Sequence, residues 1–262
     1  MKQLPITAVA IVAAFIASTS IGQTPASAPA QPARLSGPLQ QKLVPGMANY
    51  TDKVLFGQVW PGEGLSPRDR SLVVITVLIA TNKPTQLQGH LGRALTNGVT
   101  PQEASGVLTH LAFYAGWPSA VSALEVYDQV YTARKVDFSA LQATPAATSA
   151  SGARVEGVQT LLTDLQAVAP EFVKLTRDVV FDDLWRRGDL RVRDRSLVTI
   201  AALAAMGDAD LLEPYLRRGI ESGLKREEIA HALTHLAFYA GWGKSTKALT
   251  EVSRVLGAAP TR

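Results

Sequence analysis

The sequence predicts an all-α protein made of two tandem helical bundles related by pseudo-two-fold symmetry. Three observations carry this expectation. The chain is a duplication: shifted by 125 residues, its two long blocks superpose without a gap. RDRSLVVI at 68–75 meets RDRSLVTI at 193–200, THLAFYAGW recurs at 109–117 and 234–242, and 24 of the 50 positions from 68 to 117 equal their partners. Chance does not hold one register over that length. Both copies also carry a helix-stop glycine in the same place, Gly98 and Gly223. Finally, no stretch of useful length alternates apolar and polar residues with period two, as a half-buried strand would.

The elements follow in order. Residues 45–60 read as an amphipathic helix with Met47, Tyr50, Val54 and Leu55 on one side. Ser66 is an N-cap and Pro67 the first helical residue of the next helix. That helix runs through SLVVITVLIA, apolar nearly all round, which predicts a buried central helix. A further helix spans about Pro84 to Asn97 and stops at Gly98, a C′ glycine. Thr100 and Glu103 form a capping box that opens another, reaching Tyr114 and ending near Gly116. The last spans about Pro118 to Arg134. The second copy stops at Gly223, and Lys225 in place of Thr100 removes its capping box although Glu228 still matches Glu103. The upstream match is weaker but keeps register: Pro45 with Pro170, Val54 with Val179, Phe56 with Phe181 and Trp60 with Trp185.

Residues 1–22 have the form of an export signal: a lysine, a short apolar run and then small residues. This predicts a periplasmic or secreted protein with no membrane contact once the signal is removed. Residues 23–37, rich in Pro, Ala, Gln and Ser, read as a flexible tether, and 135–156 as a linker with a low-complexity Ala/Ser/Thr core. The two repeat domains are then 38–134 and 157–257. With 262 residues and 47% hydrophobic residues there is ample material for a core. The chain contains no cysteine, which excludes disulfides, thiolate metal sites and every thiol mechanism. A net charge of +4 without a basic run gives no reason to expect nucleic acid as a partner.

Four histidines are available: His90, His110, His231 and His235. His110 and His235 occupy the same place in the THLAFYAGW block, either facing a site or hydrogen-bonded across the bundle. His90 has Tyr215 as its partner, which suggests one working half and one supporting half, with His90 as the general acid or base and Tyr215 as its degenerate counterpart. Arg70 and Arg195 open the two central helices, and Arg93 matches Arg218. A guanidinium grips a carboxylate through a planar fork, so Arg70, Arg93 and Arg195 are candidate substrate anchors. Arg68 and Arg193 precede Arg70 and Arg195, and for at least one arginine of each pair a salt bridge to Asp69, Asp194 or Glu103 is the alternative reading. Glu228, His231 and His235 share one helix face at a spacing that could hold a metal, but the first repeat lacks the cluster, so no metal is expected. The four tryptophans fall in matched pairs and should pack. No phosphate loop, dinucleotide fingerprint or nucleophile elbow is present.

FGQVWPGEGLSPRDRSLVVI, its counterpart in the second repeat and LQGHLGRALTNGVTPQEASGVLTHLAFYAGWPSA together resemble the carboxymuconolactone decarboxylase family. The resemblance covers about 38–134 and 157–257. It implies an alkylhydroperoxidase D-like all-α fold and assembly of such units into a ring, which a two-domain chain could supply as a homo-oligomer, a trimer. The peroxidase branch of the family has a Cys-x-x-Cys motif and a helix glutamate, where this chain has no cysteine and places Ser71 and Ser196, so that activity is excluded. The decarboxylase branch implies a lyase that needs no cofactor and acts on a small carboxylated lactone or related acid. In that reading His90 gives the proton, His110 orients it, Arg70 and Arg93 hold carboxylates, and Arg195, Tyr215 and His235 line the substrate site. A non-catalytic binding or assembly module of the same fold, or a metal-dependent enzyme using Glu228, His231 and His235, are the alternatives.

Overall fold

A computed structural model describes residues 35–142 and 158–257, and these described residues belong to one compact unit. The expected export segment, the tether up to residue 34 and the connector 143–157 lie outside the described residues. Helices α1 (Pro38–Leu43) and α2 (Pro45–Tyr50) come first, and α2 widens into a π-helical stretch over Thr51–Val59. Helices α3 (Pro67–Ala80), α4 (Pro84–Thr96), α5 (Pro101–Tyr114), α6 (Trp117–Ala133) and the single turn α7 (Ser139–Gln142) complete the first half. The second half repeats the order with α8 (Val158–Leu165), α9 (Pro170–Leu175), a π-helical stretch Thr176–Phe181 and a 3-10 turn Leu184–Arg186. Then come α10 (Val192–Met206), a 3-10 turn Ala209–Leu211, α11 (Leu212–Glu221), α12 (Arg226–Ala240) and α13 (Trp242–Leu256). Among the described residues there is no strand, and no helix is long and apolar enough to cross a membrane.

The two repeats share a core. Helix α3 packs against α4 of its own half and α12 of the other, α10 packs against α11 and α5, and α3 and α10 pack on each other. Both central helices are buried from their first turn, as their all-round apolar sequence requires: Leu72, Ile75, Leu197 and Ile200 are fully shielded. At the start of these helices the halves exchange ion pairs. Arg68 donates to Asp194 and Arg193 to Asp69, each at 2.8 Å, while Arg68 also reaches Glu103 at 2.6 Å and Arg193 reaches Glu228 at 3.1 Å. Asp69 and Asp194 sit in the first turns, where the helix dipole favours negative charge, so one carboxylate serves both the dipole and the partner's guanidinium.

The caps are those expected. The Ser66 hydroxyl accepts from the Asp69 N–H at 3.0 Å. Gly98 and Gly223 adopt φ of +95° and +97°, and the N–H groups after them return to Ala94 and Gly219, closing Schellman-type ends. Thr100 and Glu103 make the reciprocal capping box. At α12 half of it survives: the Glu228 carboxylate accepts from the Lys225 N–H at 2.8 Å, but a lysine ammonium offers no acceptor to the helix. Lys225→Thr should therefore raise stability by about 1 kcal/mol, read as an increased urea midpoint with an unchanged slope.

Three expectations need correction. Met47 and Tyr50 are exposed, and the buried face of this segment is Ala48 followed by Leu55, Phe56 and Trp60, because the wide π turn after Tyr50 rotates the side chains out of α-helical register. Only one tryptophan pair packs: Trp60 and Trp185 are buried, but Trp117 and Trp242 are 57% and 63% exposed. The segments read as linkers are held at their described ends. Ser36 is buried with its hydroxyl on Asp52 at 2.8 Å, and Leu141 packs onto the core.

Candidate functional site

The crossed packing builds two aromatic clusters with the same frame. In the first, the turn after the π-helical stretch places Trp60, α4 places His90 and Arg93, α3 places Arg70, and α12 of the second repeat places His235 and Tyr239. The Trp60 indole N–H donates to the Tyr239 hydroxyl at 3.0 Å. His90 stacks on the Trp60 face at 5.9 Å, and His235 meets its edge at 4.9 Å. Tyr239 lies edge-on to His90 and stacked on His235. The Arg93 guanidinium lies 4.9 Å over Trp60 and 5.2 Å over Phe56.

The second cluster uses the corresponding residues with the halves exchanged. Trp185 donates to Tyr114 at 2.8 Å, Tyr114 donates to Tyr215 at 3.2 Å, His110 stacks on Tyr114 and meets Trp185 edge-on, and Arg218 lies 5.9 Å from Trp185. The structure thus separates residues that the sequence reading joined. His90 and Arg93 stand with His235, and His110 stands with Tyr215, Arg195 and Arg218. His110 therefore does not stand beside His90, where the expectation put it; the block histidine in that cluster is His235, because α3 packs on α12 and so brings the block of the other repeat to Trp60.

The clusters differ in how their polar groups are satisfied. His110 is locked. Thr199 spends its hydroxyl proton on the Arg195 carbonyl, so its oxygen accepts from His110 Nε2 at 2.8 Å, and Arg195 donates to His110 Nδ1 at 3.3 Å. Arg195 is completely buried and paired with Asp189 at 2.7 Å. Burial, together with the Arg195 charge, holds His110 well below its ordinary value, so it stays neutral with both nitrogens committed. Arg195 therefore cannot grip a substrate carboxylate.

In the first cluster the counterpart of Thr199 is Val74 and that of Asp189 is Gly64. His235 consequently has neither ring nitrogen hydrogen-bonded, and the buried His90 Nδ1 is also without a partner among the described residues. Arg70, although buried, bonds the carbonyls of Trp60 and Gly62 and has no carboxylate at ion-pair distance among the described residues. Its guanidinium is tied to backbone, which makes it a fixed positive charge beside His235 and leaves Arg93 as the better-placed anchor. A Cβ at Gly64 would lie 2.0 Å from His231 Nε2, so a larger side chain there would have to turn the His231 ring aside; at the equivalent place in the other half, Asp189 packs against Gly106. The metal spacing on α12 is not used: Glu228 faces Arg193 and the Lys225 N–H, and no group of three ligating side chains assembles among the described residues.

Electrostatics follow from this arrangement. Burial, then the Arg93 charge, lowers His90 to about 4; burial, then Arg70 and His90, lowers His235 to about 3. Both rings are neutral at pH 7, and burial pushes the Tyr239 hydroxyl up to about 12, so it remains a donor. Since an unfolded histidine titrates near ~6.5, the unfolded chain binds more protons than the native one below that value. Stability should fall as the pH drops from about 7 towards the folded values near 4 and 3, and His235→Gln should flatten this slope, measured by urea midpoints across the range. The net result is an aromatic cluster that brings together two guanidinium groups and unpaired imidazole nitrogens. It favours an anion that can also exchange a proton with imidazole.

The profile described as the carboxymuconolactone decarboxylase family matches residues 45–129 and again 170–253. The chain is 35% identical over 83 residues to a 4-carboxymuconolactone decarboxylase of Acinetobacter baylyi, covering 32% of this chain and 62% of that protein. It is also 35% identical over 71 residues to the nitrosuccinic acid decarboxylase npaB of Metarhizium robertsii, covering 27% of this chain and 50% of that protein. The matches therefore span less than two thirds of the length of either relative. Matched once in each repeat, the chain belongs to the carboxymuconolactone decarboxylase family.

Proposed function

We propose that the cluster of Trp60, His90, Arg93, His235 and Tyr239 is the active site of a decarboxylase-like lyase acting on a small carboxylated lactone or a related acid. The observation that carries this reading is the pair of imidazoles with unhydrogen-bonded buried nitrogens beside two arginines that have no carboxylate partner among the described residues. The relatives' names describe loss of a carboxylate from a small acid, which is chemistry that needs an anion anchor and a proton donor and no oxidant.

Arg93 anchors the carboxylate, and the fixed charge of Arg70 adds to the attraction. The departing carboxylate leaves as CO2, its electron pair passes into a conjugated carbonyl, and the Tyr239 hydroxyl stabilises the resulting enolate. His90 then delivers a proton to carbon. In the free protein His90 is neutral, but a bound carboxylate offsets the Arg93 charge and so favours the imidazolium. Substrate binding thus loads the acid with the proton that the reaction consumes. His235, stacked on Tyr239, holds that ring in place. The purified chain, with no added cofactor, should release CO2 from members of a panel of carboxylated lactones and activated small carboxylic acids. Absence of turnover across the panel would overturn the reading. The exposed Trp117 and Trp242, each edge-to-face with a phenylalanine of its own half, Phe113 and Phe238, support the further proposal that chains associate into a homo-oligomer, and light scattering measures it directly.

A further inference from the structure

The second cluster lacks the means for proton transfer but not the means for binding. Its two imidazole positions hold Tyr215 and the fully committed His110, and its buried arginine is neutralised by Asp189. Yet a cavity of about 1050 Å³ opens directly over it. Phe113, Tyr114, Phe172, Phe181 and Tyr215 supply aromatic wall, and Arg218 reaches in from α11. Two donors in this wall are unspent. Arg218 Nε is buried with no hydrogen-bond partner among the described residues. The Tyr215 oxygen accepts from Tyr114, and its own proton is given to no described group. Burial pushes Tyr215 upward, so that proton stays in place at neutral pH. An aromatic cup lined by two residues with unspent donors, Arg218 and Tyr215, and no free imidazole suits a flat ring that carries a hydrogen-bond acceptor.

The charges around the mouth limit the choice of ligand. Glu213 is held by Arg217 at 2.9 Å and by Arg254, but Asp208 and Asp210 also face the cavity, and Glu221 lies near Arg218. A multiply charged anion is disfavoured by these carboxylates. One carbonyl or one carboxylate on an apolar ring system can reach Arg218 and Tyr215 without placing further charge at the rim. We propose that the Tyr215 cavity is a second, non-catalytic binding site for an aromatic or alicyclic ring bearing a single carbonyl or carboxylate oxygen. This assignment does not depend on turnover at His90.

The test is calorimetric titration of the full chain with 2-naphthoate, using the parent chain and the variants His90→Ala, Tyr215→Phe and Arg218→Gln. Circular dichroism checks that each variant keeps its helicity. Binding should persist in His90→Ala, with the ligand recovered unchanged, and should weaken about 10-fold in Arg218→Gln and several-fold in Tyr215→Phe. Retention of parent affinity in both Arg218→Gln and Tyr215→Phe would overturn the site. So would loss of binding in His90→Ala, which would move the ligand to the other cluster, or no saturable binding up to millimolar concentration. Tighter binding of 2-(aminomethyl)naphthalene than of 2-naphthoate would also overturn it, by showing that the acidic rim and not Arg218 selects the ligand. Failure of the proposed lyase activity reads as absent CO2 release and leaves this titration unaffected.

Discussion

His90→Gln is expected to lower turnover by about 100-fold or more while leaving the unfolding midpoint close to that of the parent chain. Glutamine keeps much of the volume over Trp60 but cannot carry a proton through a catalytic cycle. The buried Nδ1 of His90 has no partner among the described residues, so its removal breaks no hydrogen bond there and should cost little stability. His110→Gln should behave in the opposite way. It disturbs the Thr199 and Arg195 contacts in a fully buried position and so should lower stability, with activity affected only as far as folding is. Steady-state rates and thermal midpoints for the two variants side by side distinguish the clusters. If His110→Gln abolished turnover in a folded chain while His90→Gln did not, the site would lie around Tyr215. A third variant, His235→Gln, should lower the rate with His90→Gln and not with His110→Gln.

Asp189→Ala is expected to cost about 3–5 kcal/mol, the largest stability loss of any single change considered. Arg195 has no exposed surface, and Asp189 is the carboxylate that balances it at 2.7 Å. Truncation leaves a buried guanidinium whose remaining contacts are the Arg187 carbonyl and a histidine nitrogen, neither of which carries charge. Urea denaturation measures the loss. The double variant Asp189→Ala/Arg195→Met should recover a large part of it, since removing both charges removes the unpaired one. A cost below about 1 kcal/mol for the single variant would mean that Arg195 finds water or another anion in solution.

These two expectations show where the sequence was legible and where it was not. The duplication, the helix boundaries at Ser66, Gly98, Thr100 and Gly223, and the all-α class could be read because they depend on local chemistry: a side chain that caps its own helix, a glycine that accepts positive φ, an apolar run. The candidate residues were likewise visible as residue types. What could not be read was their grouping. A repeat at a fixed offset states which positions correspond, but not whether the His90 position of one copy faces the THLAFYAGW block of its own copy or of the other. That is decided by the packing of α3 on α12 and of α10 on α5. The exchanges of Val74 for Thr199 and of Gly64 for Asp189 were present in the aligned repeats and carried no meaning until the structure placed them beside His235 and Arg195. The face of residues 45–60 was misjudged for another reason: a π-helical stretch does not keep the period on which an amphipathic reading relies.

Because each indole comes from one repeat and the block histidine edge-on to it from the other, neither repeat contains a complete cluster by itself. In an assembly of identical single-repeat subunits, any mutation would alter every site in the ring at once. Fusing two copies into one polypeptide breaks that bond. Each place can then acquire substitutions of its own, so one keeps its original task while its twin drifts to another, and both are inherited together.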